Sequence, residues 1–511
     1  MPKPKTLLKE ASSASSGKSM GKKKGRQQIQ EPETADEFLA AGVEQEEGGE
    51  KWRAGDAVKA MRFFMRAIEI YDNGLAKYPT SFDLAYNKAR VQYEITQHPK
   101  LATQLPAPLV KILHIALQSH REALALQQDN ADILFNTAQV LTSLAEALTE
   151  AKRPTEEQIQ EALRYLREAL ELFQRCLALQ ELRYTESQEQ IRMMEAGEFD
   201  AAGDEDAGVA VSQEPPEPSE PAESREEEQW AAVVEPVTKN TLVDTALAQL
   251  ETLATLCSLL TFDPGSGLAW VEEYSYDLLR TKIAAYVEGT DRHHEVARAR
   301  AQFMAALTEI LYRSGRIDVE TYQRELSGAF PPDLDLSKDP GGLCSKADAL
   351  TSFNSAIADN PRALSAEESS RSLVLRWQAL TSALDAFTAA SKLATAENVP
   401  KIHLARGDVE MLRWRLGRPP WNYAMSQQNA STLLKNAQTY YRGAAALARR
   451  DGAVEEERDG SCKEALAAAL AGDKTKLEPL RSAASKDLLT VAEDMVEDGL
   501  VMSTDMETLL S

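Results

Sequence analysis

The sequence predicts an all-α protein, a superhelical array of antiparallel helix pairs with a disordered basic N-terminus and a disordered acidic insertion. Three observations carry this. Ala, Leu, Glu, Gln, Arg and Lys dominate long stretches, the 25 Gly and 22 Pro gather at a few breaks, and apolar residues recur with helical spacing in block after block. The 511 residues could form roughly three average domains or one continuous repeat body. With 43% hydrophobic and 27% charged residues, the chain is neither a collagen, nor a disulfide knot, nor a wholly disordered acidic polymer. No apolar run approaches the roughly 18 to 20 uncharged residues of a membrane-spanning helix.

Residues 1–34 read as a disordered basic tail: positions 1–26 hold eight Lys or Arg and one Glu around a Ser-rich middle. Lys22, Lys23, Lys24 and Arg26 form a basic cluster of the kind that serves as a nuclear address, and the start lacks the apolar core of a secretory signal. Cytoplasmic or nuclear residence, or both, is therefore expected. Cys176, Cys257, Cys344 and Cys462 are far apart and form no CxxC, as suits a reducing compartment.

Residues 35–194 read as repeated helix pairs. After the Gly55-Asp56 turn, Ala60, Met61, Phe64, Ala67, Ile68 and Ile70 fall on a helical stripe. Ala85-Tyr86-Asn87-Lys88-Ala89-Arg90-Val91-Gln92-Tyr93 opens the next pair, completed by Ala116, His120, Ala123, Leu124 and Leu126 before Gln127-Gln128-Asp129-Asn130. Ala131-Asp132-Ile133-Leu134-Phe135-Asn136-Thr137-Ala138 opens a third, closed by Ala162, Leu166, Ala169, Leu170 and Leu172. Small residues at these phases let paired helices approach, and the aromatic residues fill the gaps.

This pattern over about 150 residues resembles the tetratricopeptide (TPR) family. The resemblance implies an α-solenoid that binds protein segments in its groove, with Tyr86, Asn87, Arg90, His120 and Asn136 on the helices that would meet a partner. The lysine–arginine clamp by which some TPR proteins hold acidic chaperone tails is broken here, because Gln45, Gly49, Asp132 and Asn136 stand at four of its places while Asn87 matches one. Some TPR histone chaperones are similar in carrying an acidic segment within the array.

Residues 195–229 hold thirteen Asp or Glu against Arg225 alone among basic residues, with four prolines, and cannot bury enough to fold. They read as a linker or as an acidic arm for a basic client. Helical patterning resumes over 230–450, with breaks at Phe330-Pro331-Pro332-Asp333 and Asp339-Pro340-Gly341-Gly342, and residues 451–511 read as a charged helical cap.

The chemistry of sites is sparse. His293-His294 diverge by about 100 degrees on a helix and lack an HExxH arrangement, so no metal is expected. Gly265-Ser266-Gly267 lacks the third glycine of a dinucleotide loop, and neither GxxxxGK[ST] nor GxSxG occurs, so no cofactor and no catalytic residue is assigned. A net charge of −23 repels nucleic acid phosphate and attracts basic protein surfaces. The expectation is a non-enzymatic interaction scaffold, an assembly chaperone for a basic ribosomal protein or histone, with a trafficking or transcription adaptor and an enzyme with an unrecognised site as alternatives.

Overall fold

The computed structural model describes residues 32–150, 153–195, 236–261, 267–359 and 366–511; the predicted basic tail, apart from residues 32–34, and the acidic segment 195–229, apart from 195, lie outside them. Among the described residues every regular element is a helix. Chain contacts define two compact units, Met1–Ala147 with Arg167–Ala248, and Leu148–Leu166 with Gln249–Ser511.

The first unit begins with α1 (Ala35–Arg53) packed on α2 (Ala57–Lys77). α1 opens with a capping box in which Thr34 Oγ1 accepts the Glu37 N–H and the Glu37 carboxylate accepts the Thr34 N–H, both at 3.2 Å. The chain turns at Gly55, and Asp56 caps α2 by accepting the Lys59 N–H at 2.9 Å. α2 then buries Ala60, Met61, Phe64, Ala67, Ile68, Tyr71 and Gly74 along one stripe. By propensity α1 is a poor helix, since Gly42, Gly48 and Gly49 each cost about 1 kcal/mol relative to alanine. Its partner explains them. A methyl at Gly42 would overlap the Tyr71 ring, and methyls at Gly48 and Gly49 would lie 2.7 and 2.8 Å from the rings of Phe63 and Phe64. Close contact between these rings and the α1 backbone replaces the lost propensity with dispersion and burial.

α3 (Phe82–Gln97) follows, then a single turn, α4 (Pro99–Ala102), inside the proline-bearing loop, then α5 (Leu109–Leu126), which packs on α3. α6 (Ala131–Thr149) starts a third pair, with the Asn130 side chain accepting the Asp132 and Ile133 N–H groups. The openings of α3 and α6 align residue for residue: Asp83-Leu84-Ala85-Tyr86-Asn87-Lys88-Ala89 against Asp132-Ile133-Leu134-Phe135-Asn136-Thr137-Ala138. From the 40-residue α7 (Glu156–Glu195), Phe173 meets Phe135 edge-on at 5.4 Å.

α8 (Lys239–Leu260) contributes to both units. The second unit continues with α9 (Leu268–Asp277), which passes through a π-helical stretch, Leu278–Lys282, into α10 (Ile283–Val287). α11 (His293–Arg313) and α12 (Val319–Ala329) form a hairpin whose turn uses Gly315 at φ +72 and the Asp318 cap on Thr321. The break expected at residues 339–342 is instead a helix start. Asp339 accepts the Gly342 N–H at 2.9 Å and Pro340 takes the first helical position, so α13 (Pro340–Ala358) begins there. Tyr312, Tyr322 and Phe353 form one aromatic stack with ring separations of 5.1 and 4.8 Å.

α14 (Ala366–Ala390), α15 (Val399–Arg415), α16 (Ala424–Gln428), α17 (Ala430–Asp451), α18 (Val454–Leu470), α19 (Leu477–Ala483), α20 (Ser485–Glu497) and α21 (Ser503–Leu510) complete it. Leu380, Met411, Trp414, Tyr441, Leu466, Leu488, Met495 and Leu509 belong to one continuous core, so residues beyond 450 share the apolar interior of the helices before them. The four cysteines are thiols rather than disulfides, with Cys176, Cys257 and Cys462 buried and the Cys176 thiol 3.3 Å from the Ala131 carbonyl.

Two glycines predict opposite outcomes. Gly42→Ala destabilises the first unit, because overpacking costs about 1–3 kcal/mol and outweighs the roughly 1 kcal/mol that alanine gains in a helix. Gly328→Ala, exposed on α12 with nothing within 4 Å of its added methyl, stabilises by about 0.5–1 kcal/mol. Urea unfolding of the two variants reads both signs.

Candidate functional site

The five residues expected to meet a partner line the seams between helix pairs of the first unit. Tyr86, His120 and Asn136 are fully buried, and Asn87 and Arg90 nearly so. Asn136 Nδ2 donates to Tyr86 Oη at 3.0 Å, tying α6 to α3 across 50 residues of sequence. Asn87 Nδ2 donates to the Asp83 carbonyl at 2.9 Å. His120 Nδ1 lies 2.8 Å from the Ala116 carbonyl, which requires the proton on Nδ1, and the Tyr93 ring stands edge-on to the imidazole. Burial lowers His120 to about 4, so it is neutral at physiological pH. Tyr93 Oη reaches the Gln139 carbonyl at 3.3 Å and Ser143 Oγ at 2.9 Å. Tyr86, Asn136, His120 and Tyr93 are therefore structural groups that fix helix register.

Arg90 centres a second polar cluster, and its partners were not visible in the sequence. Its guanidinium pairs with the buried Glu46 of α1 through Nη2 and with Glu94 through Nη1 at 3.0 Å. Tyr71 Oη of α2 donates to the other Glu46 oxygen, so one carboxylate joins three helices. Arg53 extends the cluster to Glu94 at 3.2 Å and Glu50 at 2.8 Å. Burial raises Glu46, against the opposing pull of Arg90 and Tyr71. Glu50 is raised to about 7 by burial and then by the neighbouring Glu94 carboxylate.

The second unit repeats the device with different residues. The Tyr441 ring lies on Gly407, its hydroxyl donates to Asp408 Oδ1 at 2.7 Å, and Lys463 Nζ reaches the same carboxylate at 2.7 and 2.9 Å. A glycine, an acid on the same helix, a tyrosine on the facing helix and a cation from a third helix recur in both units.

The outward faces of the first pair differ in charge. α1 exposes Glu44, Glu47 and Glu50. α2 exposes a shallow depression lined by Asp56, Val58, Lys59, Arg62, Phe63 and Arg66. Lys59 Nζ sits 3.3 Å from the Trp52 ring centroid, Val58 is 46% exposed, and Lys59, Arg62 and Arg66 form no salt bridge with the described residues. Spacing of three and four residues puts these three cations on one face, a signal that the search for buried periodicity passed over.

Among the described residues no group of three or more His, Cys, Asp or Glu is placed to hold a metal ion. His294 Nε2 lies 2.8 Å from the Asp335 carbonyl. No helix among them is long and apolar enough to cross a membrane.

No family model matches the chain. A UPF0656 protein of Schizosaccharomyces pombe is 35% identical over 107 residues, 21% of this chain and 23% of that protein, so the chain aligns with less than a quarter of that relative's length. A solved circular tandem repeat protein, described as having a novel repeat topology and enhanced subunit contact surfaces, is similar at 14% identity over 91% of this chain and 99% of that one, with a TM-score of 0.28.

Two measurements test the Arg90 cluster. Arg90→Ala leaves Glu46 uncompensated in the interior and costs about 3–5 kcal/mol in urea unfolding, whereas the Glu46→Leu/Arg90→Met double variant recovers most of that loss. A carboxyl raised in the folded state holds its proton longer when folded than when unfolded, so the Glu50 contribution is present at low pH and is lost as pH rises from about 4.5 through about 7. Glu50→Gln flattens this decline between pH 5 and 8, by roughly 1 kcal/mol or less because Glu50 is partly solvated.

Proposed function

We propose that this chain is a non-enzymatic scaffold that holds protein partners on the outward faces of its helix pairs, and that its principal client is a basic protein. The observation that carries the reading is the division of labour within the repeats. Tyr86, Asn87, Arg90, His120 and Asn136 are committed inside the seams, and the outward positions of α1 carry Glu44 and Glu47. The net charge of −23 and the thirteen acids of residues 195–229 favour a cationic partner over nucleic acid. Shielding a basic client from premature contact with polyanions is the work of an assembly chaperone. The TPR assignment belongs to this reading as well: the pairs match that family in residue choice, while the seam contacts join residues 44 to 50 positions apart, longer than its repeat of roughly 34.

The α2 face supports a second reading, an adaptor. Lys59, Arg62 and Arg66 beside Trp52, Val58 and Met65 suit an acidic amphipathic helix laid in the depression.

Affinity purification of the tagged full-length chain at low salt, followed by mass spectrometry, separates the two. Under the client reading one strongly basic protein co-purifies, is lost at about 0.5 M salt, and is depleted severalfold when residues 195–229 are deleted or when Glu44 and Glu47 become lysine. Neutral or acidic partners that survive both changes and are lost on Lys59→Glu/Arg62→Glu would overturn it in favour of the adaptor.

A further inference from the structure

The second unit carries a cluster in which arginines and aromatic rings alternate. It is built from Arg376 and Trp377 on α14 and from residues 413–423, at the end of α15 and in the loop after it. The guanidinium carbons of Arg376 and Arg415 both lie against the Trp421 ring, 4.0 and 4.4 Å from its centroid. Arg413 lies over Trp377 at 4.3 Å, and Trp377 meets the ring of Tyr423 at 5.8 Å.

The charges in this cluster do not cancel. Glu410 pairs with Arg413 at 2.9 Å, Asp505 with Arg418 at 3.0 Å, and Asp359 with Arg313 at 3.0 Å. Arg376 and Arg415, only 3% and 9% exposed, form no salt bridge with any described residue. Each makes one hydrogen bond to a neutral oxygen: Arg376 Nε donates to Asn354 Oδ1 at 2.9 Å and Arg415 Nη1 to the Pro419 carbonyl at 2.7 Å. The two terminal nitrogens of Arg376, and Nε and Nη2 of Arg415, bond to no described residue. Burial, and then the neighbouring Arg415 charge, pulls Arg376 down to about 10, which still leaves it a cation at neutral pH. Two desolvated like charges held against one ring with idle donors are expected to be completed by an anion.

We propose that Arg376, Arg415 and Trp421 form a binding site for the phosphate monoester of a phosphorylated protein segment. Two guanidiniums that have no salt bridge of their own, with Asp359 and Asp505 acting on them only through space, suit the charge of about −1.5 to −2 on a monoester better than the single charge of a carboxylate or a nucleic acid diester. The two guanidiniums share the Trp421 ring and lie close enough that the Arg415 charge acts on Arg376. Trp421 is half-buried and Arg418, Pro419 and Pro420 beside it are exposed, so an extended chain has surface to lie on. The inference rests on the scaffold reading only in taking the phosphate to be protein-borne.

The test titrates the full-length chain, followed by tryptophan fluorescence, with the peptide acetyl-Ala-phosphoSer-Ala-amide, its unphosphorylated twin and a single-stranded oligouridylate, all at constant ionic strength. The expected result is a saturable response to the phosphopeptide alone, competed by inorganic phosphate. Binding is weakened at least tenfold by Arg415→Gln and by Arg376→Gln, and changed less than twofold by Arg324→Gln on α12, an exposed arginine paired with Glu325 outside the cluster. Far-UV circular dichroism checks each variant's fold; if Arg376→Gln unfolds, Arg415→Gln decides, and competition on the wild-type chain needs no variant. No saturable response up to about 10 mM, equal binding of the unphosphorylated peptide, tighter binding of the oligouridylate, or full binding by folded Arg415→Gln overturns the site. A basic client retained despite such a failure removes only this site, while phosphopeptide binding without a client in the purification removes the client reading.

Discussion

The structure depends on a carboxylate held where three helices meet. In the first unit it is the buried Glu46, held by the Tyr71 hydroxyl and the Arg90 guanidinium; in the second it is the half-buried Asp408, held by Tyr441 and Lys463. An ion taken out of water is costly unless every lone pair finds a donor. The arrangement therefore tolerates one helix register and penalises a slip by a turn, which apolar stripes alone would permit. The glycine on the same helix as each carboxylate is part of the same constraint. A methyl at Gly42 or Gly407 would overlap the tyrosine ring whose hydroxyl donates to the acid on the same helix. Helix separation, register and charge are set together.

Most of the architecture was legible in the sequence because helical periodicity is a local signal. The stripe from Ala60 to Ile70, the Gly55-Asp56 turn and the opening at Asp132 needed only neighbours within a few residues to be read. Residues 339–342 show where that logic misleads. Pro and Gly read as breakers, yet Asp339 as a cap with Pro340 behind it makes the same letters a helix start. The glycines of α1 mislead in the other direction, since their tolerance rests on rings that arrive from α2.

The polar residues of the repeats were legible as a set but not as to their role. Tyr86, Asn87, Arg90, His120 and Asn136 stand out as polar or aromatic positions on apolar helices, and a sequence gives no sign whether such a side chain turns to a groove or to a seam. Their partners lie 44 to 50 positions away, as Glu46 does from Arg90 and Asn136 from Tyr86, or on the same helix, as Glu94 does, beyond any short motif. The Arg376, Arg415 and Trp421 cluster was hidden for the same reason. The run of Arg and Trp over 413–421 is conspicuous, but its imbalance appears only when Arg376 is brought to the same ring and the nearby acids are found committed elsewhere.

The continuous core of the second unit has a consequence for synthesis on the ribosome. Leu380 shares an interior with Leu488, Met495 and Leu509, so a side chain made early stays exposed until residues more than a hundred positions later have cleared the exit tunnel. The pairs from α1 to α6 face a shorter delay, because seam contacts such as Asn136 to Tyr86 span fifty residues. The nascent chain thus passes through a period in which its N-terminal part is closed and its C-terminal part is a sticky, half-assembled surface. Its apolar helix faces therefore need shielding while the chain is being made.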